Sequence, residues 1–401
     1  MTAVSVVGGR CVGACGLEAG AVSFVGDTIT ALGPAAPPAR AGPAETAVVD
    51  ASGLVVSPGF IDLQVNGGYG FDLQDDPALV WDLGRRLPRN GVTSFLPTIV
   101  SGPRSRNRSM LEALRMRPDG YRGAEPLGAH FEGPMLSRRF SGAHRHEHLA
   151  GAGGEVIDGW RRSAGVAMVT VAPELAGAPG VIGELVARGV VVSAGHSAAT
   201  SDEALAAVEA GASAVTHLFN AMAPLGHRSP GLAGAALADA RLAVTMIVDG
   251  VHVDPVAVAA AWNAKGPDRL AIVTDAVAAL GQPPGPWELS GTPTVFDGVS
   301  VRTADGRLAG SALGMDQAVA NLAGFTGCGR HEALGAASSV PARIIGEPRR
   351  GRLDPGSIAD IVLVDGACRV HATICRGRFA YVDDSARHRL PESLLPRDTT
   401  G

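Results

Sequence analysis

The sequence predicts an α/β chain: a TIM-type (β/α)8 barrel carrying a small β-sandwich formed by both chain ends. Three observations predict it. Between Pro58 and residue 341, eight short apolar runs alternate with helix-like stretches. Glycine-punctuated β-rich text lies before this region and returns only after it. Six of the eight apolar runs end on a polar or ionisable residue.

The chain ends come first. Val4–Val7, Ala21–Val25, Thr28–Leu32 and Ala47–Asp50 read as short strands, with the proline-rich Pro34–Pro43 as a surface loop. At the far end, Ile358–Val364, Val370–Cys375 and Arg378–Val382 read the same way, so residues 1–57 and 342–401 are expected to form one discontinuous domain around the barrel of residues 58–341.

The barrel runs are Gly59–Val65, Val92–Ile99, Leu127–Phe131, Val166–Val171, Val190–Ala194, Ala214–Leu218, Ala243–Val248 and Leu270–Thr274, with helices such as Asp202–Ala210 and Pro255–Ala264 between them. A doubly wound open sheet is the rival, but no G-x-G-x-x-G follows an early strand.

Composition excludes several classes. Of 401 residues, 46% are hydrophobic and 18% charged, which supplies a large core and excludes disorder as the main state. Lys plus Arg is 34 against Asp plus Glu at 39, a net charge of −5, so no basic excess exists for a nucleic-acid partner. Five scattered cysteines do not read as a disulfide framework, and Cys11 and Cys15 read as buried thiols on strands rather than a metal pair. No leader-like segment and no run of membrane-spanning length is present, so a soluble, cytoplasmic protein without a membrane partner is expected.

The strand ends carry the chemistry. In a barrel they converge on one face, where active sites are built. Here they deliver Gln64 and Asn66, Glu132, His196, His217, His252 and Asp275. A carboxylate (Glu132) and two imidazoles (His196, His217) make three ligands for a catalytic zinc, whose fourth position takes water. Asp275 is placed to take that water's proton, so the set implies hydrolysis.

These residues lie in motifs: Pro58–Gly67 (PGFIDLQVNG), His130–Pro134 (HFEGP), Ser141–His144 (SGAH), Ala194–Ser197 (AGHS), Thr216–Met222 (THLFNAM), Arg228–Gly234 (RSPGLAG), Asp249–His252 (DGVH), Thr274–Ala276 (TDA), Gly310–Leu313 (GSAL) and Pro355–Asp360 (PGSIAD). In these motifs, nearly end to end, the chain resembles the amidohydrolase superfamily and, within it, the N-acetylglucosamine-6-phosphate deacetylases. Many superfamily members open strand one with His-x-His and bridge two metals through a carboxylated lysine on strand four. Here strand one offers Gln64 and Asn66, and the only lysine, Lys265, ends a helix remote from strand four. One divalent metal per subunit is therefore expected, zinc or another divalent ion in the same site.

The resemblance implies hydrolysis of an N-acetylated phosphosugar. Asp275 acts as general base and then general acid, and His144 polarises the acetyl carbonyl. Ala143, Asn220, Ala221, Arg228 and His252 match substrate contacts, with Arg228 and His252 on the phosphate. Gln64 and Asn66 orient the water or support the ligands. A homodimer is implied because in relatives the arginine can reach across the interface. The chain departs from the family pattern at Ala198, Val277 and Arg138–Phe140. His146, His148 and the Arg104, Arg106, Arg108 cluster read as solvated. A different N-acyl substrate, or a non-catalytic scaffold on the same fold, are the competing readings.

Overall fold

The computed structural model describes residues 3–13, 16–34 and 46–396. Cys15 and most of the Pro34–Pro43 loop lie outside the described residues.

Eight parallel strands build the barrel: Phe60–Val65, Val92–Val100, Ala129–Glu132, Val166–Val171, Val191–Ala194, Ala214–Val215, Ala243–Ile247 and Leu270–Val273. Each falls inside or within a residue or two of its apolar run. The second and fourth strands are buried along their full length, as expected of strands covered by side chains within and helices without. The eighth strand closes on the first through a Val65–Ala276 bridge and a 3.0 Å bond from the Asp275 amide to the Gln64 carbonyl. Beneath it, Asp62 accepts the Thr274 hydroxyl at 2.5 Å.

The expected helices form as Ser201–Glu209 and Pro255–Lys265. Thr200 and Glu203 make a reciprocal capping box at the first, and Asp254 caps the second. Lys265 ends its helix and donates to the Ala236 and Asp239 carbonyls at 2.7 and 2.8 Å, spending its ammonium on the C-terminus of helix Gly231–Ala238.

Both chain ends share one eight-stranded mixed sheet. The link is Val55–Pro58, a strand not among those read at the chain ends, although the expected boundary at residue 57 falls within it. It pairs antiparallel with Ile361–Val364 and parallel with Ala3–Gly13. A core that includes Val6, Val22, Phe24, Ile361 and Ile374 lies on this sheet. Cys11 and Cys375 are buried on its strands, and no described cysteine is disulfide-bonded.

A three-stranded antiparallel sheet, Gly285–Leu289, Thr292–Phe296 and Val301–Thr303, follows strand eight and is absent from the eight-run pattern. Its signal is the two-residue turn Ser290-Gly291, both at positive φ, which is the hairpin geometry that a right-handed twist selects. Val277, one of the departures from the family pattern, is buried under this sheet with Leu289, Phe296 and Val301. No helix among the described residues is long and apolar enough to cross a membrane.

Candidate active site

All eight strand ends contribute to the site or its supports. Glu132 is the last residue of strand three, and its Oε1 stands 3.1 Å from His196 Nε2 and 3.0 Å from His217 Nε2. The two imidazole nitrogens are 3.1 Å apart. His196 and His217 leave strands five and six at φ of 48° and 30°, and Asp275 leaves strand eight at 51°. Left-handed backbone costs non-glycine residues of order 1 kcal/mol or more each, and persists where surrounding bonds over-determine it.

His196 Nδ1 faces the Phe140 carbonyl at 3.0 Å and donates to it, so in the neutral ring Nε2 carries a lone pair. That lone pair points at the Glu132 oxygen and at a second imidazole nitrogen. A divalent cation placed among the three atoms would take one electron pair from each. Tetrahedral zinc with ordinary Zn–N and Zn–O bonds holds its ligand atoms about 3.3 Å apart, within a few tenths of an ångström of the separations here. Glu132, His196 and His217 therefore fit a divalent metal. Burial opposes ionisation of Glu132, but the His196, His144 and His217 imidazoles outweigh it and hold its carboxyl well below the usual range.

The two strand-one amides do different things. Gln64 Nε2 donates to Glu132 Oε1 at 2.8 Å, orienting a ligand from behind. Asn66 Nδ2 donates to Asp275 Oδ1 at 2.7 Å. Burial, then the Glu132 charge, push the Asp275 carboxyl up to about 6, against the pull of His217, His252 and Asn66. His130, the other polar residue of strand three, spans the Leu63 carbonyl and the Thr170 hydroxyl, and burial drops it to about 4. It is a neutral core residue.

His144 is brought to the cluster by its loop, with Nε2 3.3 Å from Glu132 Oε2. Ser101, just beyond strand two, donates its backbone N–H to His144 Nδ1 at 3.2 Å. An amide hydrogen on Nδ1 requires a lone pair there, so in the neutral ring the proton sits on Nε2. His144 thus presents a donor.

A cavity of about 260 Å³ opens over these groups, lined by Asn66, Glu132, Ala143, His144, His196, His217, Asn220, Ala221, His252 and Asp275 among others. Asp249 Oδ2 holds His252 Nδ1 at 2.6 Å, and Asp249 Oδ1 accepts the Val251 and His252 amides, so the ring is fixed. Two of the expected site residues do not line the cavity. Gln64 sits behind Glu132, and Arg228 lies exposed on the loop after strand six.

Several contributors escape a reading of the sequence. Ser101, just beyond strand two, lines the cavity, and Glu174, three residues beyond strand four, stands outside the lining; these are the two runs without an evident polar end. Leu289 and Ser290 of the hairpin and Arg307 also line the cavity. Arg106 is a correction: it is half-buried, not solvated, and donates to Ser290 Oγ at 2.8 Å, pinning the hairpin to the first turn of helix Arg104–Arg115. His146 and His148 lie in a short turn apart from the cavity lining, with His146 bonded to Ser141 Oγ.

The amidohydrolase family profile matches residues 55–384, and the chain belongs to this family. Its relatives narrow the group. It is 40% identical over 353 residues to the N-acetylglucosamine-6-phosphate deacetylase of Bos taurus, covering 84% of this chain and 86% of that one. It is 38% identical over 343 residues to the N-acetylgalactosamine-6-phosphate deacetylase of Shewanella sp. (strain ANA-3), covering 84% and 85%. Among solved structures, the N-acetylglucosamine-6-phosphate deacetylase from Pasteurella multocida superposes with a TM-score of 0.87 at 30% identity, over 95% of this chain and 100% of that one. Within the amidohydrolases, the chain belongs with the N-acetylglucosamine-6-phosphate deacetylases.

Proposed function

We propose that the chain hydrolyses N-acetyl-D-glucosamine 6-phosphate to D-glucosamine 6-phosphate and acetate. The observation that carries this reading is the convergence of Glu132, His196 and His217 beside Asp275, whose Oδ1 is held by Asn66. A divalent ion in this site, which we take to be zinc, supplies the Lewis acidity that makes water nucleophilic near neutral pH.

The chain's own residues do the rest. Asp275 accepts a proton from the attacking water as the oxygen adds to the acetyl carbon. His144 donates its Nε2–H toward the carbonyl oxygen, where negative charge develops. When the C–N bond breaks, Asp275 returns its proton to the sugar nitrogen, which departs as the amine. Gln64 keeps the Glu132 carboxylate turned inward.

The Asn220–Ala221 backbone, Ala143 and His252 bind the sugar phosphate from within one subunit. Arg228, exposed here, serves the neighbouring subunit of a homodimer as a planar, bidentate phosphate donor. Such metabolism belongs in the cytoplasm. The test is acetate release from N-acetylglucosamine 6-phosphate and from unphosphorylated N-acetylglucosamine, side by side, in zinc-supplemented protein. Strong preference for the phosphorylated sugar supports the reading. Equal turnover keeps the hydrolase and sinks the phosphate contacts. The galacto epimer belongs in the same assay, because the Shewanella relative is named for it.

A further inference from the structure

Glu174 stands just beyond strand four, outside the cavity lining, and makes two short bonds into the turn that follows strand five. Its Oε2 accepts the Ser197 hydroxyl at 2.7 Å, and its Oε1 accepts the Ala198 amide at 2.6 Å. Both oxygens of one carboxylate thus engage the two residues after His196. Ala198 is a departure from the family pattern as a side chain, yet its backbone carries one of these bonds.

The turn needs holding. His196 precedes it in left-handed backbone, and its carbonyl accepts the Ser137 amide at 2.9 Å. On the other side, the Ser197 amide donates to the Ala221 carbonyl at 3.0 Å, and the Ala223 amide donates back to the Ser197 carbonyl at 3.0 Å. Ala221 is itself left-handed and lines the cavity with Asn220. A continuous path of hydrogen bonds therefore runs from Glu174, through Ser197, to the backbone proposed to hold the sugar, with His196 covalently attached to it.

We propose that Glu174 is a positioning residue that couples the metal ligand His196 to the substrate-holding Asn220–Ala221 backbone. This rests on the metal-dependent deacetylase reading above. Charge-assisted bonds to a carboxylate are shorter and stronger than neutral ones, and the two here fall in that class. Groups that orient a metal's ligands from outside typically matter ten- to a hundredfold to metal affinity.

The experiment measures the zinc dissociation constant by competition with a chromophoric chelator, KM and kcat for N-acetylglucosamine 6-phosphate, and the melting temperature of metal-free protein. It compares wild type, E174Q and E174A. The expected result for E174A is about tenfold or greater loss of zinc affinity with a several-fold rise in KM. E174Q, isosteric and keeping one acceptor, falls between, and guards against misfolding of the truncated variant. Zinc affinity and KM unchanged in both variants, or a loss confined to melting temperature, overturns the proposal. Wild-type protein that binds no divalent ion overturns the metal-dependent reading itself and this proposal with it, and that result is read without either variant.

Discussion

Asn66 and Asp275, 209 positions apart, meet at 2.7 Å where strand eight closes on strand one. The amide hydrogen fixes one oxygen of the carboxylate, leaving the other for a proton in transit. The Asp275 backbone is tied to the same strand through its amide, 3.0 Å from the Gln64 carbonyl. The closure of the barrel and the placement of the proposed base are one structural event.

Removing the base should therefore separate chemistry from binding. Asp275→Asn is expected to lower kcat by at least about 10²-fold with zinc content unchanged by metal analysis. Asn66→Ala, which frees the carboxylate without removing it, should cost about tenfold, in line with a net bond to a charged group of about 1.5 kcal/mol. Near-normal turnover by Asp275→Asn would mean that another group takes the proton.

His144 is held as a donor by the Ser101 amide, so its loss should act on the transition state. His144→Ala is expected to lower kcat about 10²–10³-fold while zinc is retained, because Glu132, His196 and His217 form the ligand group without it. His144→Gln, whose terminal amide reaches toward the place of Nε2, should recover part of the loss. Zinc lost along with His144 would instead assign it to the metal.

The Arg228 assignment has a decisive mixing test. Arg228→Ala and Asp275→Asn should each be nearly inactive on the phosphorylated sugar at low substrate concentration. Subunits of the two variants, unfolded and refolded together, should regain activity. The Asp275→Asn subunit supplies its arginine to the intact base of its neighbour. Recovery absent from a mixture shown by native mass spectrometry to contain mixed dimers would place the arginine's action within its own subunit.

Asp62 gives a pH dependence of stability. Burial pushes its carboxyl up to about 7, although the Thr274 hydroxyl and the Gln64 and Thr274 amides pull the other way. A carboxyl raised above its unfolded value contributes stability that is present below the unfolded pKa and is lost as pH rises through the folded one. Each tenfold difference in proton affinity between the folded and unfolded chain is worth about 1.4 kcal/mol. Asp62→Asn carries no such charge. The melting temperature of the variant relative to wild type should rise between pH 5 and pH 8. A constant difference across that range would show that Asp62 is not protonated in the fold.

Much of this is legible in the sequence for a local reason. A strand buried on both faces is written as a continuous apolar run, and the polar residue that ends it is adjacent in the chain. Val166–Val171 is the same segment as apolar run and as strand, and Glu132, His196, His217 and Asp275 stand where their runs stop. Their chemistry needs only residue type. The Ser290-Gly291 turn is equally local, but the eight-run pattern passes over it and the hairpin it makes.

Other features depend on which groups meet across the barrel. Ser101 looks like any serine until its amide lies 3.2 Å from His144, 43 positions away. Glu174 follows Ala172-Pro173 as an unremarked acid until strand five sets Ser197 and Ala198 against it. Arg106 belongs to a cluster that reads as solvated until the hairpin covers it. Gln64 and Asn66 are alike in type, yet one turns to a ligand and the other to the base, because strand one lies between strand two and strand eight at the closure, with Gln64 reaching past strand two to Glu132 and Asn66 turning to Asp275. The sequence by itself determined the strands, their ends and the chemistry those ends could carry. Only the tertiary structure decided which donor faces which acceptor, because hydrogen bonds demand contact within about 3 Å, and no pattern in the chain encodes a distance between residues that folding alone brings together.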